Sequence, residues 1–230
     1  MSLFRTEKIK CPACEQALEY GVVYSVNADR RPDLRDAILD NTFQRTTCSK
    51  CGETFRLEPR VTYLHLAKQQ WILVESAARL VKWAQLEKQA QSGFEQTYGA
   101  KAPAAARAIG AALKPRVTFG WPALKEKLLA AKFGIDDATL ELAKLSIIRG
   151  AGGEVPLADD VELRLIDVVD DSLVMAWVQP ATGKVIEAMR VARGLLSDIE
   201  AQAADWQALR DELIAGPFVD LHRVLVQAKA

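Results

Sequence analysis

The sequence predicts an α+β fold, because apolar residues follow three different patterns in three successive segments. In residues 1–75 apolar side chains alternate with period two, as in strands. In residues 76–150 they recur every three or four positions, as in helices. Residues 151–230 return to strand patterns and end with helical ones. We therefore expect a β-rich amino-terminal module, a helical middle, and a carboxy-terminal three-stranded β-meander with helices, divided at residues 75 and 150.

The first segment contains the longest strand pattern. Leu18, Tyr20, Val22, Tyr24 and Val26 point to one face, which predicts a strand with one buried side.

Shorter elements complete the first segment. Pro32 opens a helical stretch, which is permitted because a helix leaves its first N–H groups unpaired anyway. Residues 61–66 and 71–74 flank a polar turn and predict a β-hairpin. Residues 43–47 and 55–57 suit two strands on either side of residues 48–52.

The middle segment predicts several helices. Trp83, Leu86, Ala90 and Phe94 share one helix face, and Gly99 is a suitable end for that helix. Three further helical stretches are expected, at 102–114, 123–133 and 139–150. Asp136 and Asp137 precede the last of these, where carboxylates cap free N–H groups.

The third segment begins with a glycine-rich stretch at 150–156 that is typical of a linker. Three strands with polar turns follow, and one long helical stretch and a short final helix close the chain. Their expected ranges are 163–169, 173–178, 185–191, 195–215 and 221–226.

Composition restricts the classes of function. Lys plus Arg and Asp plus Glu number 30 each, so the formal net charge is zero. A neutral chain is a poor non-specific binder of nucleic acid, which requires many phosphate contacts. No apolar stretch approaches the ~20 residues that cross a bilayer, and the amino terminus lacks a signal-peptide pattern. We expect a cytoplasmic protein with reduced thiols and no membrane partner.

All four cysteines occur in two Cys-x-x-Cys pairs, Cys11/Cys14 and Cys48/Cys51. Two such turns can bring four thiolates around one metal ion. We predict that these residues bind one Zn²⁺ per chain, with iron as the alternative, and that the first segment is a zinc-ribbon-like module. Gly52 suits the left-handed backbone turn that follows the second pair.

Thiol redox chemistry is the competing interpretation of the first pair, since Cys-Pro-Ala-Cys resembles a thioredoxin-type motif. Such a motif needs a helix directly after it to lower the pKa of the first thiol. Here the following residues predict a strand, and a second pair is present. A four-cysteine site also leaves no open position for a catalytic water, so we assign no catalytic residue and no further cofactor.

The segment around these pairs resembles the CpXC proteins of bacteria and archaea. The resemblance rests on the two Cys-x-x-Cys motifs and on Asn27, Asp29, Pro32 and Leu34 between them. Ser49 stands where the family usually has proline. The resemblance covers residues 8–75 specifically and continues more weakly through the helical middle. It implies a metal-binding ribbon and no known activity.

Several other residues could carry chemistry, and each has a simpler structural interpretation. We expect both histidines to serve packing or surface roles, the paired aspartates to form caps, loops and turns, and the tryptophans to lie in the core. The arginines are expected on a mixed-charge surface. These residues are His65, His222, Asp136, Asp137, Asp159, Asp160, Asp170, Asp171, Trp71, Trp83, Trp121, Trp177, Trp206, Arg30, Arg31, Arg56 and Arg60.

The leading functional hypothesis is a structural-zinc protein that acts as a non-enzymatic interaction module, with another protein as its partner. Two alternatives remain open from the sequence: a zinc ribbon that binds nucleic acid, and an enzyme, either a thiol redox enzyme or a hydrolase of unrecognised type.

Overall fold

The computed structural model describes residues 2–150 and 160–227. Most of the predicted linker at 150–156, and Asp159 of one aspartate pair, lie outside the described residues. The strands are β1 (Leu3–Lys10), β2 (Ala17–Asn27), β3 (Arg45–Thr47), β4 (Thr54–Arg56), β5 (Val61–His65), β6 (Gln70–Glu75), β7 (Lys114–Phe119), β8 (Glu162–Val169), β9 (Ser172–Val178) and β10 (Val185–Ala192). The α-helices are α1 (Pro32–Leu39), α2 (Trp83–Tyr98), α3 (Ala104–Gly110), α4 (Gly120–Lys132), α5 (Asp137–Gly150), α6 (Gly194–Ala201), α7 (Ala203–Leu213) and α8 (Leu221–Gln227).

The predicted α+β class is confirmed, with the cysteine pairs in an amino-terminal sheet region, helices in the middle and a three-stranded sheet near the carboxy terminus. The predicted β-hairpin is β5 and β6, which pair antiparallel. One predicted helical stretch, at 195–215, is two helices, α6 and α7, that meet at Gln202.

The larger sheet has five strands in the order β1-β2-β5-β6-β7. Two of its pairings, β2 with β5 and β6 with β7, are parallel, and the other two are antiparallel. The strand β7 was not predicted, because it lies inside the helical middle. Its Val117, Thr118 and Phe119 are good strand formers, but a six-residue strand between helices has no alternating pattern of its own.

The smaller sheet is the predicted meander, β10-β9-β8, with both pairings antiparallel. The turn between β8 and β9 contains Asp170, whose φ of 52° is left-handed. Aspartate is among the few residues that adopt this conformation readily. The prediction that Asp170 and Asp171 form a hairpin turn is therefore confirmed.

The helix α4 connects the two sheets through its packing. Leu124 and Leu128 join the apolar cluster on one face of the five-stranded sheet. Leu129 and Ala130, the next two residues, point to another side of the helix and join the cluster beneath the meander. Both faces of this helix are therefore covered. Within the described residues, no helix is long and apolar enough to cross a membrane.

Candidate metal centre

The four cysteines lie at the tips of two β-hairpins. The strands β1 and β2 pair from Leu3 to Lys10, and the turn that joins them carries Cys11 and Cys14. The strands β3 and β4 pair at Thr47 and Thr54, and Cys48 and Cys51 lie in the turn between them.

The backbone of the first turn is closed by two hydrogen bonds. The N–H of Cys11 donates to the Gln16 carbonyl at 3.0 Å, and the N–H of Glu15 donates to the Cys11 carbonyl at 2.9 Å. Glu15 has a left-handed φ of 57°. The turn therefore holds both thiols on the same side of the hairpin tip.

The second turn repeats this pattern at equivalent positions. The N–H of Cys48 donates to the Glu53 carbonyl at 2.8 Å, and the N–H of Gly52 donates to the Cys48 carbonyl at 2.9 Å. The φ of Gly52 is 76°, which confirms the left-handed turn expected there. The two cysteine turns thus share one backbone conformation despite different sequences.

The four sulfur atoms meet between the two turns. Sγ of Cys11 lies 3.6 Å from Sγ of Cys51, and Sγ of Cys14 lies 3.7 Å from Sγ of Cys48. All four lie within 4.8 Å of one another. A tetrahedron with Zn–S bonds of ~2.3 Å has edges of about 3.8 Å, whereas a disulfide would require about 2.05 Å. The cluster therefore has the dimensions of a four-thiolate metal site.

Backbone amides stabilise a thiolate within the cluster. The N–H groups of Cys51 and Lys50 point towards the Cys48 sulfur and lower its pKa to about 6, against an opposing effect of burial. The N–H of Glu53 also lowers the pKa of Cys51, but the adjacent thiols of Cys14, Cys11 and Cys48, together with burial, raise it to about 12. Four thiols in this arrangement cannot all ionise without a cation among them.

The other predicted candidates lie away from this cluster. His65 ends β5, with its Nδ1 3.4 Å from the Tyr63 hydroxyl and its Nε2 3.8 Å from Asp29. His222 packs its ring against Phe218, at 6.3 Å between centroids. Neither histidine belongs to the cysteine cluster.

The paired aspartates have structural partners. Asp136 accepts the N–H of Thr139 at 2.9 Å, which confirms the predicted cap of α5. Asp137 pairs with Arg116 at 2.7 Å.

The tryptophans do not form a common surface. Trp71, Trp121 and Trp177 are buried, and the five tryptophans are divided among three separate apolar clusters. Their prediction as core residues is confirmed for these three.

The predicted arginine surface is broken up by local pairing. Arg31 pairs with Asp33, Arg60 pairs with Glu75, and Arg56 stacks on Trp121 at 4.9 Å.

A buried network of charged side chains was not predicted. It joins α4, α5, β8 and the segment before α8. Its members and their exposed fractions are Glu126 0%, Lys127 3%, Glu141 0%, Lys144 1%, Arg164 3% and Asp220 7%.

Each charge in this network faces an opposite one. Lys144 Nζ lies 2.9 Å from Glu126 and 2.7 Å from Glu141. Arg164 lies 3.0 Å from Glu126 and 2.6 Å from Asp220. Burial alone would raise the pKa of Glu126, but Lys144 and Arg164 outweigh burial and hold it below its usual value.

One sequence signal could have revealed this network. In residues 140–145, Glu141 and Lys144 stand among leucines and an alanine with no polar face. A helix that is apolar all round is buried, and its charges must then be paired.

These features define an α+β protein with a four-cysteine cluster that could hold a metal ion. A family model described as "CpXC protein" matches residues 9–144, which is more than half of the chain. The chain belongs to the CpXC family, which confirms the predicted resemblance and its continuation through the helical middle. Comparison with curated proteins and with solved structures gave no significant match.

Proposed function

We propose that Cys11, Cys14, Cys48 and Cys51 bind one structural zinc ion and that the resulting zinc ribbon is a non-enzymatic interaction module. The observation that carries the metal assignment is the convergence of four Sγ atoms within 4.8 Å from two matching turns. Zinc is favoured over iron because a closed four-thiolate tetrahedron is the usual structural zinc site. A reduced four-thiol site also supports the proposal that the protein works in the cytoplasm, where thiols stay reduced.

The first test is elemental analysis of the untagged protein, with thiol titration before and after a chelator. We expect about one zinc per chain and thiols that react only after chelation. Iron at one atom per chain would replace zinc in the proposal. Metal-free protein with oxidisable cysteine pairs would overturn it in favour of redox chemistry.

The outer edge of β1 is the surface that we assign to the partner. The sheet order begins with β1, so this strand has no strand on its outer side among the described residues. Next to this edge, on opposite faces of the strand, Leu3 and Phe4 expose 45% and 43% of their surface, and the Arg31 guanidinium lies 5.1 Å from the centre of the Phe4 ring. An unpaired edge with exposed apolar side chains suits an extended segment of another protein, which would add a strand to the sheet.

The charges on β1 favour an acidic partner segment. The strand carries Arg5, Lys8 and Lys10 against one carboxylate, Glu7. We expect Phe4→Glu to abolish capture of a stoichiometric partner from native lysate without changing the zinc content. Recovery of no partner by the unaltered protein, together with a positive activity screen, would contradict the interaction role.

The redox alternative lacks the helix that it needs. The residues after Cys14 lead into β2, and those after Cys51 lead into β4, so neither pair opens a helix. The lowered pKa of Cys48 is caused mainly by turn amides, and a thiolate is also the form that binds metal.

Nucleic-acid binding stays the second alternative, and the absence of a mobility shift at low salt with micromolar protein would remove it.

A further inference from the structure

A cavity of about 280 Å³ opens between α1, the turn that joins β5 to β6, and the end of α4. This volume is close to the lower limit of ~300–1,000 Å³ for small-molecule pockets. The cavity is lined by residues of the five-stranded sheet and its helices and includes none of the four cysteines. It is therefore a feature of the fold separate from the candidate metal centre.

The floor of the cavity combines apolar surface with one buried hydroxyl. Leu128 and Tyr63 are buried, and Leu39 is half-buried beside them. Burial raises the pKa of Tyr63 well above its usual range, so the side chain is a neutral phenol. Its hydroxyl lies 3.4 Å from Nδ1 of His65, which forms part of the cavity wall.

His65 is held by a carboxylate on its other side. Nε2 of His65 lies 3.8 Å from Oδ1 of Asp29, which favours the proton on Nε2 and leaves Nδ1 to accept from Tyr63. Asp29 is itself fixed, because it accepts the N–H groups of Leu66 at 2.7 Å and Ala67 at 3.3 Å. The polar groups of the cavity are therefore positioned before any ligand arrives.

The rim of the cavity carries excess positive charge. Lys68 and Lys132 are exposed, and no carboxylate of residues 2–150 or 160–227 lies within ion-pair distance of either. Arg35 also lines the cavity but is neutralised by Asp36 at 2.8 Å. Lys68 and Lys132 thus line one opening from different elements, above an apolar floor, and the Nζ of Lys132 lies 5.1 Å from the centre of the Phe133 ring beside it.

We propose that this cavity binds a small phosphomonoester, with its phosphate between Lys68 and Lys132 and its organic part against Leu39 and Leu128. Two ammonium groups from separate elements suit a tetrahedral dianion better than a planar carboxylate, and lysine is a common phosphate ligand. Tyr63 is fully buried behind the floor of the cavity, so its hydroxyl positions His65, which is the polar side chain with exposed surface there.

Phosphate binding should be visible at His65, because a dianion favours the imidazolium. In the free protein, burial lowers the pKa of His65, Asp29 opposes this effect, and Arg35 and Lys68 add to it. Six titratable groups surround this imidazole from α1, α4 and the neighbouring loops and strands. They are Asp29, Arg35, Asp36, Tyr63, Lys68 and Lys132.

The test uses the imidazole proton resonances of the full-length protein in a titration with inorganic phosphate and with phenyl phosphate at constant ionic strength. The chain has two histidines, so His222 is an internal control and His65→Asn assigns the signals. We expect a saturable shift at His65 alone, with phenyl phosphate binding tighter than inorganic phosphate. No saturable shift, an equal shift at both histidines, or equal saturation by acetate would overturn the proposal.

Matched lysine variants locate the binding. Lys68→Gln and Lys132→Gln should each weaken phenyl phosphate binding about tenfold, since each removes one charged hydrogen bond. Lys101→Gln, which changes an exposed lysine outside the cavity, should leave the affinity unchanged. Equal losses in all three variants would show general electrostatic attraction and overturn the assigned site. Zinc content should be the same in every variant, so this result is independent of the metal proposal.

Discussion

The two cysteine turns carry different residues at the position whose backbone is left-handed in both. Glu15 occupies the left-handed position of the first turn, and Gly52 occupies it in the second. A side chain at this φ costs roughly 1–2 kcal/mol, which glycine avoids. The second turn is therefore less strained than the first.

We expect Gly52→Ala to destabilise the protein by about 1 kcal/mol, measured by urea unfolding. An added Cβ would meet no atom within 4 Å, so the backbone conformation is the only cost. Gly93→Ala is the control, because it lies within α2 with equally open surroundings. It should stabilise the protein by about 0.5–1 kcal/mol. Similar effects of both changes would contradict the inferred strain.

Replacement of a single cysteine should abolish metal binding and destabilise the amino-terminal module. Because metal binding there contributes directly to folding, Cys11→Ser and Cys48→Ser should yield metal-free protein that proteases cleave rapidly. Elemental analysis and limited proteolysis measure both effects, and Ser49→Ala, in the same turn, is the control. The structural role would be wrong if both cysteine variants kept the melting temperature of the unaltered protein.

The acid stability of the protein should depend on Asp137. Burial raises the pKa of Asp137, but Lys127 and Arg116 outweigh this and hold it well below its usual value. The charged carboxylate therefore stabilises the fold above about pH 4, and this contribution is lost as the pH falls further.

We expect Asp137→Asn to lower the free energy of unfolding by about 3 kcal/mol at pH 7, because it removes the carboxylate that pairs with Arg116 and one of the two carboxylates that pair with the buried Lys127. The difference from the unaltered protein should shrink at pH 3. Asp171→Asn, at the exposed β8–β9 turn, should have little effect at either pH. A difference for Asp137→Asn that does not depend on pH would contradict this assignment.

At the scale of elements, the buried charges connect helices and strands from distant parts of the chain. Glu126 of α4 contacts Lys144 of α5 and Arg164 of β8, and Arg164 contacts Asp220 just before α8. Three elements and the segment before α8 therefore depend on one set of ion pairs. Such a network restricts how these elements can pack, because a buried charge is destabilising unless a charge of opposite sign stays beside it.

Lys144→Met should destabilise the protein by roughly 3–5 kcal/mol, because it leaves Glu126 and Glu141 buried with less compensation. Adding Glu126→Gln should recover part of that loss, which a double-mutant cycle by urea unfolding would measure. Lys88→Met, on the exposed face of α2, is the matched control. A loss below about 1 kcal/mol for Lys144→Met would contradict the importance of the network.

At the scale of the whole molecule, contacts cross the predicted boundary at residue 75. The strand β7 of the helical middle pairs with β6, and Trp121 donates to the Leu57 carbonyl at 3.0 Å. Trp121 also packs against Phe43, with 5.2 Å between ring centroids. The division into three units at 75 and 150 stays a prediction, and these contacts favour cooperative unfolding of the first two.

Metal removal should affect mainly the tips of the two cysteine hairpins, because the core of the five-stranded sheet lies beyond them. Residues 17–21 of β2 are largely exposed beside the cysteine turns, whereas Val22, Val23 and Val26 lie in the core. In hydrogen-exchange mass spectrometry, a chelator should remove protection from β3, β4 and the outer part of the β1–β2 hairpin. Protection in β5 and β6 should persist. Uniform loss across the chain would show that the metal stabilises the whole fold.

Several features were predictable because their causes are local. The strand over Leu18 to Val26, the α2 face with Leu86 and Ala90, and the meander follow from apolar periodicity. The cysteine cluster follows from two short motifs whose turns need few residues to form. For the same reason the left-handed Gly52 was anticipated, while the equivalent conformation of Glu15 was not, because glutamate rarely adopts it.

The sequence by itself determined the α+β class, most element ranges, the CpXC family and the four cysteines of the candidate site, since each depends on neighbouring residues. Only the tertiary structure decided that β7 joins the first sheet, that Lys144 and Arg164 are buried between carboxylates, and that Tyr63 and His65 share a cavity with Lys132. The physical reason is that these features arise from contacts between residues far apart in the chain. Such contacts depend on how sheets and helices pack, and local periodicity carries no information about that packing.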